Sequence, residues 1–395
     1  MLTYQNTNIL NKNGTELMKL ETVWGRSQIE QPESNHYQII VSTATTDREW
    51  DRFVEACPGG KHVQASFWSE LKQHVGWQVR RLMILSDGKI VAGAQMLIKR
   101  WFGGLVKVGY VTKGPLFLSP SAELATLMIA QLQLAARVAG VQVLFVQPPL
   151  PLAEVATAMV ASGFAYTNLK LLPTATVVND LSADLDTLLK KMRKKTRNCV
   201  RRGYKEGLTV REGTHADLPI FYDLHCATSE RRGFQPAPFE NFEREWSLLN
   251  PLGHAHFFIV EFEGTPIAAN WVIAFGDTVW ATRAGWSGEF GKKRPNEVMD
   301  WHSISWAKQN EYRYYDLEGI APEAAKYAAR GEKLPPELRQ SSASYKLGLG
   351  GGVVFCPQPM VFIGNRLLRR GYQALFRPIA QSKAIHQLFD YLRAN

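Results

Sequence analysis

Apolar residues alternate with polar ones, or gather in short runs, along three consecutive segments: Gln78 to Ser86, Ile90 to Lys99 and Leu105 to Val111. Asp87-Gly88 and Gly103-Gly104 separate them, and such dipeptides between apolar runs signal tight hairpin turns. After Gly114-Pro115 the period changes. Leu124, Met128, Leu132 and Ala135 share one face of a helix predicted over Ala122 to Ala139, and an apolar strand, Val141 to Val146, follows. The same succession returns as His256 to Glu263, a turn at Glu263-Gly264, Pro266 to Phe275, a turn at Gly276-Asp277, Val279 to Trp286, a helix from about Asn296 to Asn310, and the strand Tyr312 to Leu317. Leu82, Ile84, Gly88, Val91 and Ala92 align with Phe258, Val260, Gly264, Ile267 and Ala268. Any two hairpins share some such positions, but here the helix and the strand after it also recur in order, which predicts a duplicated domain.

Helices predicted over Asp47 to Cys57 and Ser66 to His74 precede the first meander; Ser182 to Glu206 and His215 to Ser229 precede the second. A meander followed by a helix that crosses to a further strand is the order of the acetyltransferase fold, and it fits twice. The expected class is α/β (α+β): tandem GNAT (acyl-CoA N-acyltransferase-like) domains, each a mixed, mostly antiparallel sheet flanked by helices. A length of 395 residues suits two domains, and 45% hydrophobic with 21% charged residues excludes a long disordered region. No apolar signal segment and no run of about 20 apolar residues occurs, so the chain reads as neither secreted nor membrane-spanning. Cys57, Cys199, Cys226 and Cys356 are scattered, without zinc or disulfide spacing, and read as reduced thiols of a cytoplasmic protein. Lys plus Arg outnumber Asp plus Glu by 46 to 36, which favours anionic partners.

That charge is concentrated in Ser182 to Glu206. Leu185, Leu188, Leu189, Met192, Thr196, Cys199, Val200 and Gly203 form one helical face; Lys190, Lys191, Arg193, Lys194, Lys195, Arg197, Arg201, Arg202 and Lys205 crowd the others. Uninterrupted cations repel one another, which either an anionic ligand such as an RNA backbone or acidic neighbours elsewhere in the fold would relieve. Ser66 opens a helix that presents Trp68 and Lys72 on one side, either as a ligand contact or as a packed indole beneath a lysine stem. Lys113-Gly114-Pro115 ends a strand, as an anion site or as a plain turn. Tyr345-Lys346 leads into Gly348-Leu-Gly-Gly-Gly352, which lacks the ending of a P-loop and predicts tight backbone packing, with Lys346 as its one chemical group. There is no HExxH, no GxSxG and no metal-ligand spacing; His254 and His256 alternate on a strand and read as structural.

Taken together these stretches resemble the Fem family, the non-ribosomal peptidyltransferases that build peptidoglycan interpeptide bridges from aminoacyl-tRNA. The resemblance runs from Gln64 to Gly352 through Gln64-Ala-Ser-Phe-Trp68 to Lys72, Lys113-Gly-Pro, Met192-Arg-Lys-Lys-Thr-Arg197 to Lys205-Glu-Gly-Leu, Arg231-Arg232-Gly233-Phe234, Tyr315-Asp316-Leu317-Glu318-Gly319 and Tyr345-Lys346. It implies a poorly ordered tail over residues 1–35, a first domain of 36–172 completed by 345–395, which binds the precursor, and a second of 173–344, the two sharing one catalytic groove. It also implies no cofactor, aminoacyl-tRNA as donor, and a peptidoglycan precursor, lipid II or a nucleotide-linked muropeptide, as acceptor. Trp68, Lys72, Lys113, Arg231, Arg232 and Tyr345 are its substrate-binding candidates, and Lys190, Arg193, Lys194, Arg197 and Arg201 its tRNA-binding candidates. The long helical arm of some members is absent, because Glu206 leads directly into the strand Leu208 to Glu212. Gly233-Phe234 is followed by Gln235-Pro236 rather than Arg and Tyr, and Leu116-Phe117-Leu118-Ser119 lacks an expected acid, which points to a different acceptor.

On this reading an acceptor amine attacks the aminoacyl ester. Lys346 stabilises the oxyanion, and Asp316 or Glu318 takes the proton unless these acids are structural. Two rivals remain. An acyl-CoA N-acyltransferase would share the fold, but Ser287 to Arg294 does not match the pyrophosphate loop it needs. A non-catalytic RNA- or membrane-surface-binding protein would use the basic helix, or lay Arg366 to Arg377 on an anionic bilayer if that stretch does not dock on the core.

Overall fold

The computed structural model describes residues 9–10, 16–17, 37–101, 104–167 and 173–376. Most of the tail expected over residues 1–35, Gly103 of the Gly-Gly turn and Arg377 lie outside them. Two compact units result, one formed by residues 37–167 with 357–376, the other by 173–356.

In the first unit the strands Gln38–Ser42, Gln78–Ser86, Lys89–Trp101 and Val106–Thr112 pair antiparallel in that order. Val106–Thr112 then runs parallel to Val143–Gln147, with Thr112 opposite Gln147 at the strand ends. Parallel neighbours need a long crossover, supplied by the helix Ala122–Val138, whose first turn is capped by the Ser121 hydroxyl accepting from Leu124 N at 3.1 Å. Its buried face of Leu124, Met128, Ile129 and Leu132 packs with Ile84, Ala92, Met96 and Val146.

The segment before this sheet is pinned by a buried amide pair. Gln64, fully buried, donates from Nε2 to Gln95 O (3.2 Å) and Thr112 O (2.7 Å), and its Oε1 accepts from Gln95 N at 2.8 Å. The Gln95 side chain returns a bond to Ala65 O (2.9 Å) and accepts from buried Arg81 at 3.0 Å, while the Trp50 indole donates to Gln64 O at 2.6 Å. Gln64-Ala-Ser-Phe-Trp is thus an anchor that ties a loop to two strands. Gln64→Leu keeps the volume but takes a side-chain partner from Gln95 N and Gln95 O in the buried interior, at a cost of about 2 to 3 kcal/mol. Urea unfolding should show this as a lower midpoint at an unchanged slope.

The second unit repeats the order: Leu208–Glu212, Ala255–Phe262, Thr265–Phe275 and Thr278–Trp286 antiparallel, then Tyr314–Gly319 parallel, reached through the helix Pro295–Gln309. The next positions of the two sheets show an exchange. Ala175–Asp180, which follows the first repeat in sequence, lies beside Tyr314–Gly319 in the second sheet, and Met360–Ile363, which follows the second repeat, lies beside Val143–Gln147 in the first. The outermost strands are Gly352–Phe355 and Ala165–Tyr166, each from its own repeat. The fold is therefore a tandem GNAT arrangement with its last strands exchanged.

Two boundaries differ from expectation. The return to the first unit starts at Pro357 rather than Tyr345, because Gly352–Phe355 pairs with Ala175–Asp180 in the second sheet. The helix expected over Ser182 to Glu206 is two, Leu185–Lys191 and Lys194–Lys205. The break falls where the glycine run crosses. Arg193 N donates to Gly348 O at 3.0 Å, and a Cβ on Gly350, which has φ +90°, would stand 3.0 Å from the Lys191 and Met192 backbone. Met192 is buried at the corner and adopts an extended ψ of 150°, so the chain gives up helical hydrogen bonds to seat that side chain. A helix at Phe239–Leu249, in the stretch after Gly233-Phe234, was not expected. Among the described residues no helix is long and apolar enough to cross a membrane.

Candidate active site

The parallel pairing in the second sheet ends early. Thr278–Trp286 matches Tyr314–Gly319 only as far as Trp280 opposite Asp316, although the former strand runs on to Trp286. The equivalent pair in the first sheet keeps register to its end, so the second sheet opens where the first is closed. The open end is shaped by Asp316, whose Oδ1 accepts from the Thr176 hydroxyl on the neighbouring strand and from Glu318 N at 2.7 Å. Glu318 takes a left-handed φ of 62° within the strand, where the pairing with Ala175–Asp180 shifts register between Asp316 and Gly319. Gly319 is needed next, since a Cβ there would lie 2.3 Å from Pro173 Cγ.

Onto this end comes the short helix Ser342–Leu347, begun by the Ser341 hydroxyl accepting from Ser344 N at 3.2 Å. Lys346 Nζ donates to Gly319 O at 3.0 Å. Its neighbour Tyr345 donates from its hydroxyl to Asp300 Oδ2 at 2.6 Å, reaching the crossover helix Pro295–Gln309. Burial pulls the Lys346 ammonium down from the usual lysine range, and the charges of Glu318, Asp300 and Asp316, in that order, push it back. Burial likewise lifts the Asp300 carboxyl to about 6, against the lowering effect of the Tyr345 hydroxyl and Lys346. A half-buried amine ringed by three acids, at the mouth of an opened sheet, can supply a positive charge to a reacting carbonyl.

The glycine run packs as expected. A Cβ on Gly351 would lie 2.7 Å from Asn179 Oδ1, and one on Gly348 2.9 Å from Thr196 Oγ1. Arg193 bonds to Ser344 O (3.0 Å) and Oγ (3.2 Å), and Arg197 to the Lys190 and Met192 carbonyls at 2.8 and 3.2 Å. Arg193 clamps the basic corner to the helix that carries Lys346 and Arg197 closes on the carbonyls of the break itself, while Lys190, Lys194, Arg201 and Lys205 are exposed.

The structure thus brings together Lys346, Tyr345, Asp316 and Glu318, with Arg193 alongside. Arg231 is held away from them: its guanidinium donates to the Trp286 carbonyl and to Ser287 O at 3.0 Å and lies 4.9 Å from the Trp286 ring, while Arg232 is exposed at the same helix end. Trp68, Lys72 and Lys113 belong to the first unit. Lys72 Nζ stands 5.5 Å from the Trp68 ring, and buried Lys113 has φ 56° ahead of the cis Gly114-Pro115 bond. His254 Nδ1 bonds Ala274 O at 2.9 Å and His256 Nδ1 bonds Glu212 at 2.7 Å, both structural. Asp300 was missed from the sequence. Its signal is an acid among Val298, Met299, Ser303 and Ile304, on the buried face of a crossover helix.

Two acetyltransferase-type units, one of them opened beside a half-buried lysine, define a tandem GNAT fold. The acetyltransferase (GNAT) domain profile matches residues 190–327, and the FemAB family profile matches residues 45–244, half of the chain. The chain belongs to the FemAB family. It is 29% identical over 233 residues to a lipid II:glycine glycyltransferase of Staphylococcus saprophyticus, a match covering 56% of each protein. It is 26% identical over 293 residues to the enzyme of that name from Staphylococcus aureus, covering 70% of this chain and 69% of that one. A FemX crystal structure superposes with a TM-score of 0.72 at 19% identity, over 83% of this chain and 98% of that one. A tandem GNAT protein from the clavulanic acid biosynthesis pathway gives 0.50 at 11% identity, over 84% and 99%.

Proposed function

We propose that this protein transfers an aminoacyl group from aminoacyl-tRNA to an amine on the stem peptide of lipid II, at the cytoplasmic face of the membrane, in building a peptidoglycan bridge. The observation that carries the reading is Lys346, held by Gly319 at the open end of the second sheet in a chain of the FemAB family. Relatives named for lipid II support the lipid-linked acceptor, as does the absence of Arg and Tyr after Gly233-Phe234.

The acceptor nitrogen attacks the ester carbonyl carbon, whose oxygen becomes an oxyanion beside the Lys346 ammonium. Collapse breaks the bond to the ribose oxygen, leaving an amide and the tRNA 3′-terminal hydroxyl. The proton lost by the amine ends on that hydroxyl, and Glu318 is the residue assigned to carry it. Asp316 holds the strand end, since Oδ1 already takes two hydrogen bonds. Because the ester is already activated, alignment and charge stabilisation are what the protein must add. Trp68, Lys72 and Lys113 of the first unit are assigned to the precursor, with Lys72 toward its phosphates.

The test is transfer of label from a mixture of aminoacyl-tRNAs to lipid II, with the nucleotide precursor as second acceptor and acetyl-CoA as second donor. tRNA-dependent labelling of lipid II is expected; labelling from acetyl-CoA alone would overturn the reading. Lys194, Arg201 and Lys205 fall on one face of their helix. The double change Lys194→Glu, Lys205→Glu should weaken tRNA binding by about ten- to a hundredfold and flatten its dependence on salt by about two phosphate contacts. Filter binding across a salt series checks both.

A further inference from the structure

We propose that Asp300 is the positioning residue of this site, fixing the Lys346 amine in place through Tyr345 and supplying the buried counter-charge that keeps it an ammonium ion. The inference rests on the reading of Lys346 given above. Its basis is geometric. Lys346 sits on a helix that runs only from Ser342 to Leu347, too short to be rigid by itself. Asp300 sits on the fifteen-residue helix Pro295–Gln309, at 7% exposure, and receives the Tyr345 hydroxyl at 2.6 Å. The short helix is therefore tied at consecutive residues, by Tyr345 to Asp300 and by Lys346 to Gly319, so any rotation that swung the amine away would break a charge-assisted hydrogen bond.

The charges facing the pair act in opposite senses. Glu297, one turn earlier on the crossover helix, opposes the ionised form of Asp300, while Lys346 favours it. Tyr315, from the strand, and Tyr345 are both held neutral, by burial first and by the Asp300 charge next. Glu318 and Asp316 stand with Asp300 in supporting the Lys346 charge. Asp300 is the member of that trio that also holds the lysine's own helix.

Two readouts test this on the full-length protein. In the first, Lys346 is acylated with a small anhydride over a range of pH, and its rate is compared by peptide mass spectrometry with that of exposed Lys191. Asp300→Asn removes the counter-charge, so Lys346 should titrate at lower pH and react about tenfold faster relative to Lys191 at a fixed pH near 8, the equivalent of about one pH unit. Tyr345→Phe leaves the carboxylate in place and should not speed the reaction. An unchanged Lys346 titration in Asp300→Asn would overturn the proposal.

The second readout is aminoacyl transfer. Asp300→Asn and Tyr345→Phe should both lower kcat more than tenfold with KM for either substrate within about twofold, and only Asp300→Asn should move the alkaline limb of the pH profile toward acid. Asp300→Glu should recover part of kcat. Wild-type kcat in both variants would overturn the positioning role. If the wild-type protein transfers no aminoacyl group, the proposed function falls, and the acylation readout still decides whether Asp300 governs Lys346.

Discussion

Lys346→Ala is expected to lower the turnover of aminoacyl transfer by about 10²- to 10³-fold, the loss typical of removing one preorganised donor to a developing oxyanion. The interaction it removes is made fully only in the transition state, so KM for the two substrates should hold while kcat and kcat/KM fall together. The fold should survive. The amine donates to Gly319 O, and that carbonyl can be hydrated once the side chain is gone, because the site is only half-buried. Lys346→Arg is the informative companion. It keeps a charge, but its larger planar head does not fit the single carbonyl contact, so recovery should be partial. Full turnover in Lys346→Ala, measured with single-turnover kinetics, would remove Lys346 from the chemistry.

Asp300→Asn should stabilise the protein at neutral pH while impairing it as an enzyme. The folded state lifts the Asp300 carboxyl from 3.8 to about 6, so between those values it binds more protons than the unfolded chain. The slope of unfolding free energy with pH is then negative, and the contribution of Asp300 is full below about pH 4 and lost as pH rises through 6. At pH 7 the burial of this charge costs up to about 3 kcal/mol, which Asn would remove while still accepting from the Tyr345 hydroxyl. The expected result is a higher urea midpoint at pH 7, little difference at pH 4, and a wild-type curve whose fall between pH 4 and 6 is missing from the variant. An equal midpoint at pH 7 would mean that the charge is not penalised. A group kept at a cost in stability is what an active site requires, and gain of stability with loss of turnover in one variant would separate that from a structural role.

Glu318 and Lys346 are recognisable in the amino-acid sequence because their neighbours carry local signals: an acidic strand end in Tyr315-Asp316-Leu317-Glu318-Gly319, and a glycine run after Lys346. That they meet, with Lys346 hydrogen-bonded to Gly319 across a separation of 27 positions, depends on the register shift at the left-handed Glu318 and on the close approach of Gly350 and Gly351 to their neighbours. Arg193 and Arg197 read as two cations of a ligand-binding face; Arg193 also bonds to Ser344 O, and Arg197 to the Lys190 and Met192 carbonyls at a helix break that the apolar period through Met192 concealed. Arg231, read as a substrate contact, has its guanidinium oriented by the Trp286 and Ser287 carbonyls, a packing no local pattern announced.

Hairpin turns, helix caps and the two periods of hydrophobic positions are properties of neighbouring residues, so the sequence by itself determined the meanders, the crossover helices and their duplication. The exchange of Ala175–Asp180 and Met360–Ile363 between the two sheets, the early end of pairing at Trp280 and Asp316, and the Asp300–Tyr345–Lys346 chain were decided only in the tertiary structure. Each depends on partners far apart in sequence, whose selection rests on burial and hydrogen-bond satisfaction over the whole unit rather than on any local preference.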